Sequence, residues 1–274
     1  MKILIATDME GITGVTTWDH VTPGHAEYAR FRRLMTQDVN AAICGAFGAG
    51  ADEVIVADGH WNGSNILIEE LDPRARLNSG SPSPFSMMQG IGESVNGVFF
   101  IGYHARNGSQ NAILDHTWSS KAVANVWLND ALTGEYGLNA ALAGHFNAPV
   151  IMVSGDQTAC AEVTDLLGAM ECAIVKQATG RYAAECLSPE TTRELISAAA
   201  MRATTRLKNG DVPKPFALKK PICVAVEFFT SDMADRAALM PGSQREGTRV
   251  SWIGQTMDAA YRAFRAAVTL ASSG

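Results

Sequence analysis

The chain has 274 residues, of which 47% are hydrophobic and 18% charged, and its formal net charge is −6. The apolar content excludes a disordered chain. The acidic balance, without any Lys/Arg cluster, argues against nucleic acid or a membrane surface as a partner, because both require a basic footprint. A short peptide or another small molecule is the expected ligand. The low charged fraction, against a usual ~25%, indicates subunit contacts and therefore a homo-oligomer.

All apolar runs are far shorter than the ~20 residues of a membrane span. The first run ends before Asp8 and is too short for the apolar core of a signal peptide. We therefore expect a cytoplasmic protein. The five cysteines are odd in number and include no C-x-x-C pair. Neither a disulfide framework nor a thiolate zinc site is indicated.

Short runs rich in Val and Ile alternate with helical patterns over the first 207 residues. Strands are predicted over residues 3–6, 53–57, 97–102, 150–154 and 173–175. Helices are predicted over residues 26–47, 64–71, 135–145, 158–167 and 189–207. Nearly all-apolar strands that alternate with helices predict a largely parallel sheet in a three-layer α/β/α fold.

Two segments have a different pattern. Residues 121–128 run into a turn at Asn129-Asp130, and the tail predicts strands over 222–229 and 248–253 with a closing helix over 257–271. Together they predict a smaller α+β subdomain of residues 116–134 and 215–274. The α/β metal-binding domain would then contain residues 1–115 and 135–210.

Polar side chains follow each of the first four predicted strands of the parallel sheet. They are Asp8 and Glu10, Asp58 and His60, His104, and Asp156, in strand order. Ligands of open α/β sheets bind beyond the carboxyl ends of the strands, so these residues should converge. Asp8 and Glu10 project to the same side of an extended chain and would repel each other unless a cation lies between them. Mixed carboxylate and imidazole ligands suit zinc or manganese, and hydrolases often share such sets between two ions.

Glu135, at the start of a predicted helix, supplies a third carboxylate. Three carboxylates and a bridging hydroxide would balance the charge of two divalent ions. Each residue alone also has a simpler interpretation as a turn carboxylate, a core histidine or a charge at a helix N-terminus. Their coincidence at successive strand ends favours metal binding. His116 lies outside this ligand set, and is either a general acid or base or a structural histidine paired with Asp115.

The order of motifs resembles a known family. TDMEG, DGH, GYHAR, DHTW, GEYGLNA, VSGD, VKQ and CLSP cover residues 1–190, and ALMPG extends the series into the tail. These motifs resemble the zinc-dependent D-aminopeptidases, also called the dipeptide transport protein family. One departure is Ala6, where the family motif has serine.

This resemblance implies two divalent ions per subunit, Zn²⁺ or alternatively Mn²⁺. Asp8 would bridge both ions, with Glu10 and His104 on one and His60 and Glu135 on the other. The resemblance also implies that His116 is the catalytic histidine and that subunits form a decamer of two five-membered rings.

The sequence thus predicts a metallo-aminopeptidase that releases an N-terminal amino acid, by resemblance a D-residue, from short peptides. A metal-bridging hydroxide would attack the scissile carbonyl, and His116 would transfer a proton to the leaving amine. One alternative is a two-metal phosphoesterase or other amidohydrolase, in which Lys176 and Arg106 are the nearby candidates for binding phosphate. Another is a non-catalytic peptide-binding transport accessory protein, for which a proton-transferring histidine has no purpose.

Overall fold

The chain forms two β-sheets flanked by helices, and a computed structural model describes residues 1–273. The strands are β1 (Lys2–Thr7), β2 (Glu53–Asp58), β3 (Ala75–Asn78), β4 (Gly97–Tyr103), β5 (Val123–Leu128), β6 (Ala131–Thr133), β7 (Val150–Asp156), β8 (Glu171–Gly180), β9 (Ala183–Cys186), β10 (Ile222–Phe228), β11 (Gln244–Glu246) and β12 (Arg249–Gly254). The helices are α1 (Trp18–Val21), α2 (Tyr28–Gly48), α3 (Glu135–His145), α4 (Gln157–Leu167), α5 (Pro189–Lys208), α6 (Ser231–Ala237) and α7 (Met257–Ser272).

Sheet A has seven strands in the order β3-β2-β1-β4-β7-β8-β9. All its neighbouring pairs are parallel except β8 and β9, which form an antiparallel hairpin. The parallel strands point their carboxyl ends to one edge, and helices cover both faces. The predicted three-layer α/β/α fold is confirmed.

Successive side chains of β1 pack into two different hydrophobic cores, one on each face of sheet A. Ile3 and Ile5 pack in a cluster with α2 and α5 on one face of sheet A. Leu4 and Ala6 belong to a second cluster that includes α3, α4, α7 and sheet B. This alternation follows from the two-residue period of a strand, which sends successive side chains to opposite faces.

The predicted helix over residues 64–71 is wrong. This segment is irregular apart from a single 3₁₀ turn, Ile68–Glu70. The Asp58 carboxylate accepts hydrogen bonds from the backbone N–H groups of Asn65 (2.6 Å) and Ile66 (2.8 Å), and from the Asn65 side chain (2.8 Å). A side chain that engages these N–H groups competes with helix formation.

Sheet B is antiparallel, with strand order β11-β12-β10-β5-β6. Its strands come from the two segments that the sequence separates from the parallel sheet. The β5–β6 turn places Asn129 (φ 45°) and Asp130 (φ 68°) in the left-handed region, as tight hairpins require. Among residues 1–273, no helix has the length and apolarity to cross a membrane.

Candidate metal centre

Five sequence-predicted site residues lie at the carboxyl edge of sheet A. Asp8 and Glu10 follow β1, His60 follows β2, His104 follows β4, and Glu135 is the first residue of α3. Each has between 1% and 8% of its surface exposed. The parallel topology therefore brings residues that are up to 127 positions apart in sequence (135 − 8) into one buried group.

Asp8 lies between two histidines. His60 Nδ1 is 3.2 Å from Asp8 Oδ1 and 3.1 Å from Glu10 Oε2. His104 Nε2 is 3.2 Å from Asp8 Oδ2 and 3.1 Å from Glu135 Oε1. We call these five residues the carboxylate–histidine cluster.

His116 adjoins the cluster. Its ring stacks on that of His104, with centroids 4.0 Å apart and planes inclined by 12°. His116 Nε2 lies 3.7 Å from Glu135 Oε1 and 4.0 Å from Glu10 Oε1. This nitrogen therefore faces the same space as the carboxylates.

Backbone carbonyl groups orient all three histidines. The contacts are His60 Nε2 to Val21 O (2.7 Å), His104 Nδ1 to Ala105 O (2.9 Å) and His116 Nδ1 to Leu114 O (2.8 Å). A carbonyl oxygen only accepts, so each contacting nitrogen carries the proton. In the neutral imidazole the other nitrogen then directs a lone pair at the carboxylates, which is the usual arrangement of metal-binding histidines.

These imidazole nitrogens and carboxylates need a positive charge between them, which a proton on each imidazole or a metal ion can supply. Within residues 1–273, the buried atoms Glu10 Oε2 and His104 Nε2 make no hydrogen bond of standard geometry, although each lies 3.1 Å from an ionisable atom of the cluster. Burial alone would lower the pKa of His60 and of His104, yet the adjacent carboxylates raise both pKa values well above the usual value. The cluster thus attracts positive charge strongly, and its nitrogen and oxygen donors fit divalent zinc or a similar ion.

A cavity of about 530 Å³ opens over the cluster. Its walls include Trp18, Trp61, Trp118 and residues 119–121, besides cluster residues and His116. This volume lies within the usual range for small-molecule sites. An arrangement of buried carboxylates and imidazoles beneath an accessible, partly aromatic cavity is typical of metal-dependent enzymes.

Comparison with known proteins identifies the family. The family model for Peptidase M55, described as D-aminopeptidase, matches residues 1–266. The chain belongs to this family. It is therefore a peptidase, and the family predicted from the sequence motifs is confirmed.

A sequence match and a structure match of this M55 family member both span almost its whole length. A D-aminopeptidase of Bacillus subtilis (strain 168) is 37% identical over 273 residues, covering 99% of this chain and 98% of its own. The solved structure of the Zn-dependent D-aminopeptidase DppA from Bacillus subtilis, a self-compartmentalizing protease, matches with a TM-score of 0.96. That match has 36% sequence identity and covers 100% of this chain and 99% of the other.

In this M55 peptidase a buried lysine holds the loop that follows β1. Lys176 Nζ, on β8, donates to the carbonyl oxygens of Glu10 (2.6 Å), Ile12 (2.9 Å) and Val15 (2.8 Å). Burial lowers the pKa of Lys176 to about 8. The sequence offered one signal for this role, a lone lysine in the apolar run AIVKQ, but the prediction considered Lys176 only as a phosphate ligand.

Two glycines allow β1 and β4 to approach closely beside the cluster. The Gly11 N–H donates to Gly102 O at 2.8 Å, and a Cβ on Gly11 would lie 2.0 Å from Tyr103 O. Gly102 has φ 75°, and its Cβ would lie 2.3 Å from Asp8 O. Larger residues at either position would displace the chain that carries Asp8 and Glu10.

The loop that carries His116 is held by the β8–β9 hairpin. Arg181 Nε is 3.1 Å from Asp115 Oδ1, and Arg181 Nη2 donates to Asp115 O at 2.9 Å. Asp115 is thus paired with Arg181. The alternative in which His116 is a structural histidine predicted that Asp115 would pair with His116. Leu114 (φ 50°) and Trp118 (φ 63°) adopt left-handed backbone conformations on either side of His116. Such conformations are strained in non-glycine residues and concentrate at functional sites.

Two other residues at strand ends lie outside the cluster. Asp58 organises the turn after β2, as described above, and Asp156 caps α4 by accepting from the Ala159 N–H (2.8 Å). Asp156 also accepts from the N–H of Ile113 at 2.8 Å. These carboxylates support the framework. Ala6, where the family motif has serine, is fully buried in the core cluster that contains α3.

Proposed function

We propose that this chain releases the N-terminal D-amino acid from short peptides, with two zinc ions held by Asp8, Glu10, His60, His104 and Glu135. The observation that carries the proposal is the buried cluster in which carbonyl-oriented histidines direct free nitrogens at three carboxylates. Membership of the M55 family supports the peptidase reaction. The name of the B. subtilis structure, Zn-dependent D-aminopeptidase, supports both zinc and a D-residue.

The shortest contacts favour one division of the ligands. Glu10 lies with His60 and Glu135 with His104, and Asp8 touches both histidines. We propose that Asp8 bridges two ions held by these two groups. The family resemblance implied the other pairing, Glu10 with His104, and ligand atoms of those residues and Asp8 also lie within 4.8 Å of one another. Anomalous scattering at the zinc edge in crystals of the loaded protein would distinguish the two pairings.

His116 is the proposed proton-transfer group. Bound divalent ions would supply Lewis-acid polarisation of the scissile carbonyl and of the attacking water. Burial, together with nearby His104, lowers the pKa of His116, which keeps its imidazole neutral at neutral pH. Because Leu114 O holds the Nδ1 proton, Nε2 is the atom that can accept a proton from water and return it to the leaving amine.

A phosphoesterase fits the site less well. Lys176 uses its ammonium group on three backbone carbonyls. Arg106 donates to Asn107 O (3.2 Å) and lies 4.0 Å from Glu162. Neither cation points to a phosphate site over the cluster, and the peptidase family independently argues against this alternative.

We also propose a cytoplasmic homo-oligomer, the decamer implied by the family resemblance. Support comes from the B. subtilis structure, which is named a self-compartmentalizing protease. Within each subunit, we propose an α/β domain of residues 1–115 and 135–210 and a subdomain of residues 116–134 and 215–274. Every strand of sheet B comes from the second set. Light scattering during size-exclusion chromatography would test the decamer.

The central experiment combines metal analysis with an assay of both stereoisomers. We expect about two zinc ions per chain and faster hydrolysis of D-alanine amide than of L-alanine amide. Chelation should abolish activity, and added zinc should restore it. Glu10→Gln should lose metal and activity, whereas Glu69→Gln, at an exposed position outside the cavity, should retain both. A metal-free active protein would refute the site, and preference for the L-isomer would refute the stereochemistry.

A further inference from the structure

We infer that Lys121 binds the C-terminal carboxylate of the substrate, so that the enzyme favours short peptides with a free C-terminal acid. The inference rests on the proposed function and specifies its substrate class. Charge is distributed unevenly around the cavity. Asp8, Glu10 and Glu135 line the inner part, and Lys121 is the one lysine or arginine among the described lining residues.

Lys121 is not neutralised by the protein. Its side chain lies at an exposed position. None of the ion pairs found among residues 1–273 includes Lys121. Three carboxylates line the same cavity, yet all three are engaged with histidines at the cluster. Lys121 therefore leaves a positive charge for an anionic group on the ligand. A primary ammonium group donates charge-assisted hydrogen bonds to a carboxylate.

The chain geometry sets an upper limit on the distance between the Lys121 backbone and the carboxylate–histidine cluster. The Trp118 N–H donates to Glu135 Oε1 at 2.6 Å, so Trp118 touches the cluster. Lys121 follows three residues later, which places its Cα at most about 11 Å from that of Trp118. An extended dipeptide or tripeptide spans roughly 7–11 Å. A peptide of this length whose first residue lies at the cluster is therefore long enough to bring its last carboxylate to Lys121.

The backbone beneath Lys121 is well anchored. Ser119 O accepts from the N–H groups of Ala122 (3.2 Å) and Val123 (3.0 Å), and Ala122 O accepts from the N–H of Phe229 (3.1 Å), the residue that follows β10. These contacts fix the turn between the cluster and sheet B. Ser119 and Ser120 also line the cavity, and their hydroxyls are donors for the second carboxylate oxygen.

The test compares an acid with its amide. We expect the zinc-loaded enzyme to hydrolyse D-Ala-Gly with a higher kcat/KM than D-Ala-glycinamide. Lys121→Ala should lower the acid-to-amide ratio of kcat/KM about tenfold, as loss of one charged hydrogen bond predicts. Lys121→Arg should retain most of the preference, and Lys121→Glu should reverse it. Lys214→Ala, an exposed lysine outside the cavity, is the matched control and should leave the ratio unchanged.

The outcomes separate this inference from the proposed function. If Lys121→Ala lowers kcat/KM equally for both substrates, or for neither, Lys121 does not bind the carboxylate, although the peptidase proposal stands. The same conclusion follows if Lys121→Glu keeps the acid preference. If the zinc-loaded wild type hydrolyses neither substrate, the proposed function fails and the inference fails with it.

Discussion

Replacing Asp38 with asparagine should stabilise this protein at neutral pH. Asp38 lies on α2 with 2% of its surface exposed, and accepts hydrogen bonds from Thr13 N–H (3.0 Å) and Thr13 Oγ1 (2.9 Å). The Thr13 hydroxyl also contacts Thr192 Oγ1 at 2.9 Å. Asparagine has the same shape, and its oxygen can accept from Thr13 N–H while its amide donates to the hydroxyl. The exchange therefore removes a buried charge and retains the network.

The expected gain in the free energy of unfolding follows from the pKa shift of Asp38. Burial raises the pKa of Asp38 from 3.8 to about 6. At one pKa unit per 1.36 kcal/mol, this shift corresponds to about 3 kcal/mol. Because the folded pKa is raised, the stabilising contribution of protonated Asp38 is complete below pH 3.8 and is lost as pH rises through about 6. The substituted asparagine side chain cannot ionise. The stability of the variant relative to the wild type should therefore increase between pH 3.8 and about 6 and change little at higher pH.

Thermal unfolding of both proteins across pH 4–8 checks the prediction. At pH 7, Asp38→Asn should raise the free energy of unfolding by up to about 3 kcal/mol and Tm by roughly 5–10 °C. At pH 4 the two proteins should have nearly equal Tm values. Asp165→Asn, at an exposed helix position, should show no such pH-dependent difference. A variant that is less stable at pH 7, or a difference independent of pH, would refute the reasoning.

Three further substitutions test the site and its supports. His116→Asn should retain both metal ions but lower kcat by about 10²–10⁴, and full amidase activity would exclude proton transfer by His116. Gly11→Ala should reduce zinc content and Tm, because its methyl group would lie 2.0 Å from Tyr103 O; unchanged values would show that the strands can separate. Arg181→Ala should lower kcat several-fold with metal content retained, since Asp115 loses its partner; normal kinetics would contradict this role.

The proximity of the proposed metal ligands was predictable because their placement depends on topology. β1, β2 and β4 are short apolar runs, so the sequence locates their ends within a residue or two. The rule that parallel strands end at a common edge then brings Asp8, His60 and His104 together without side-chain detail. The preference of zinc and similar ions for imidazole and carboxylate ligands then indicates what such a group of residues can bind.

Contacts that depend on atomic packing were not predictable. The error over residues 64–71 arose because Asp58, seven positions earlier, takes the N–H group of Asn65. Strands β3 and β9 are only four residues long and partly exposed, so their composition carries little signal. The three carbonyl contacts of Lys176 join residues 161–166 positions apart, and no local pattern encodes such a contact.

The contact between Lys176 and the loop after β1 has a consequence for biosynthesis. Asp8 and Glu10 emerge first from the ribosome, but Glu135 and then Lys176 must be synthesised before their loop acquires its complete set of contacts. Partners so distant in sequence are brought together late in folding. Capture of the proposed metal ions should therefore follow the docking of β8, and metal content should report how much of a preparation has completed this docking.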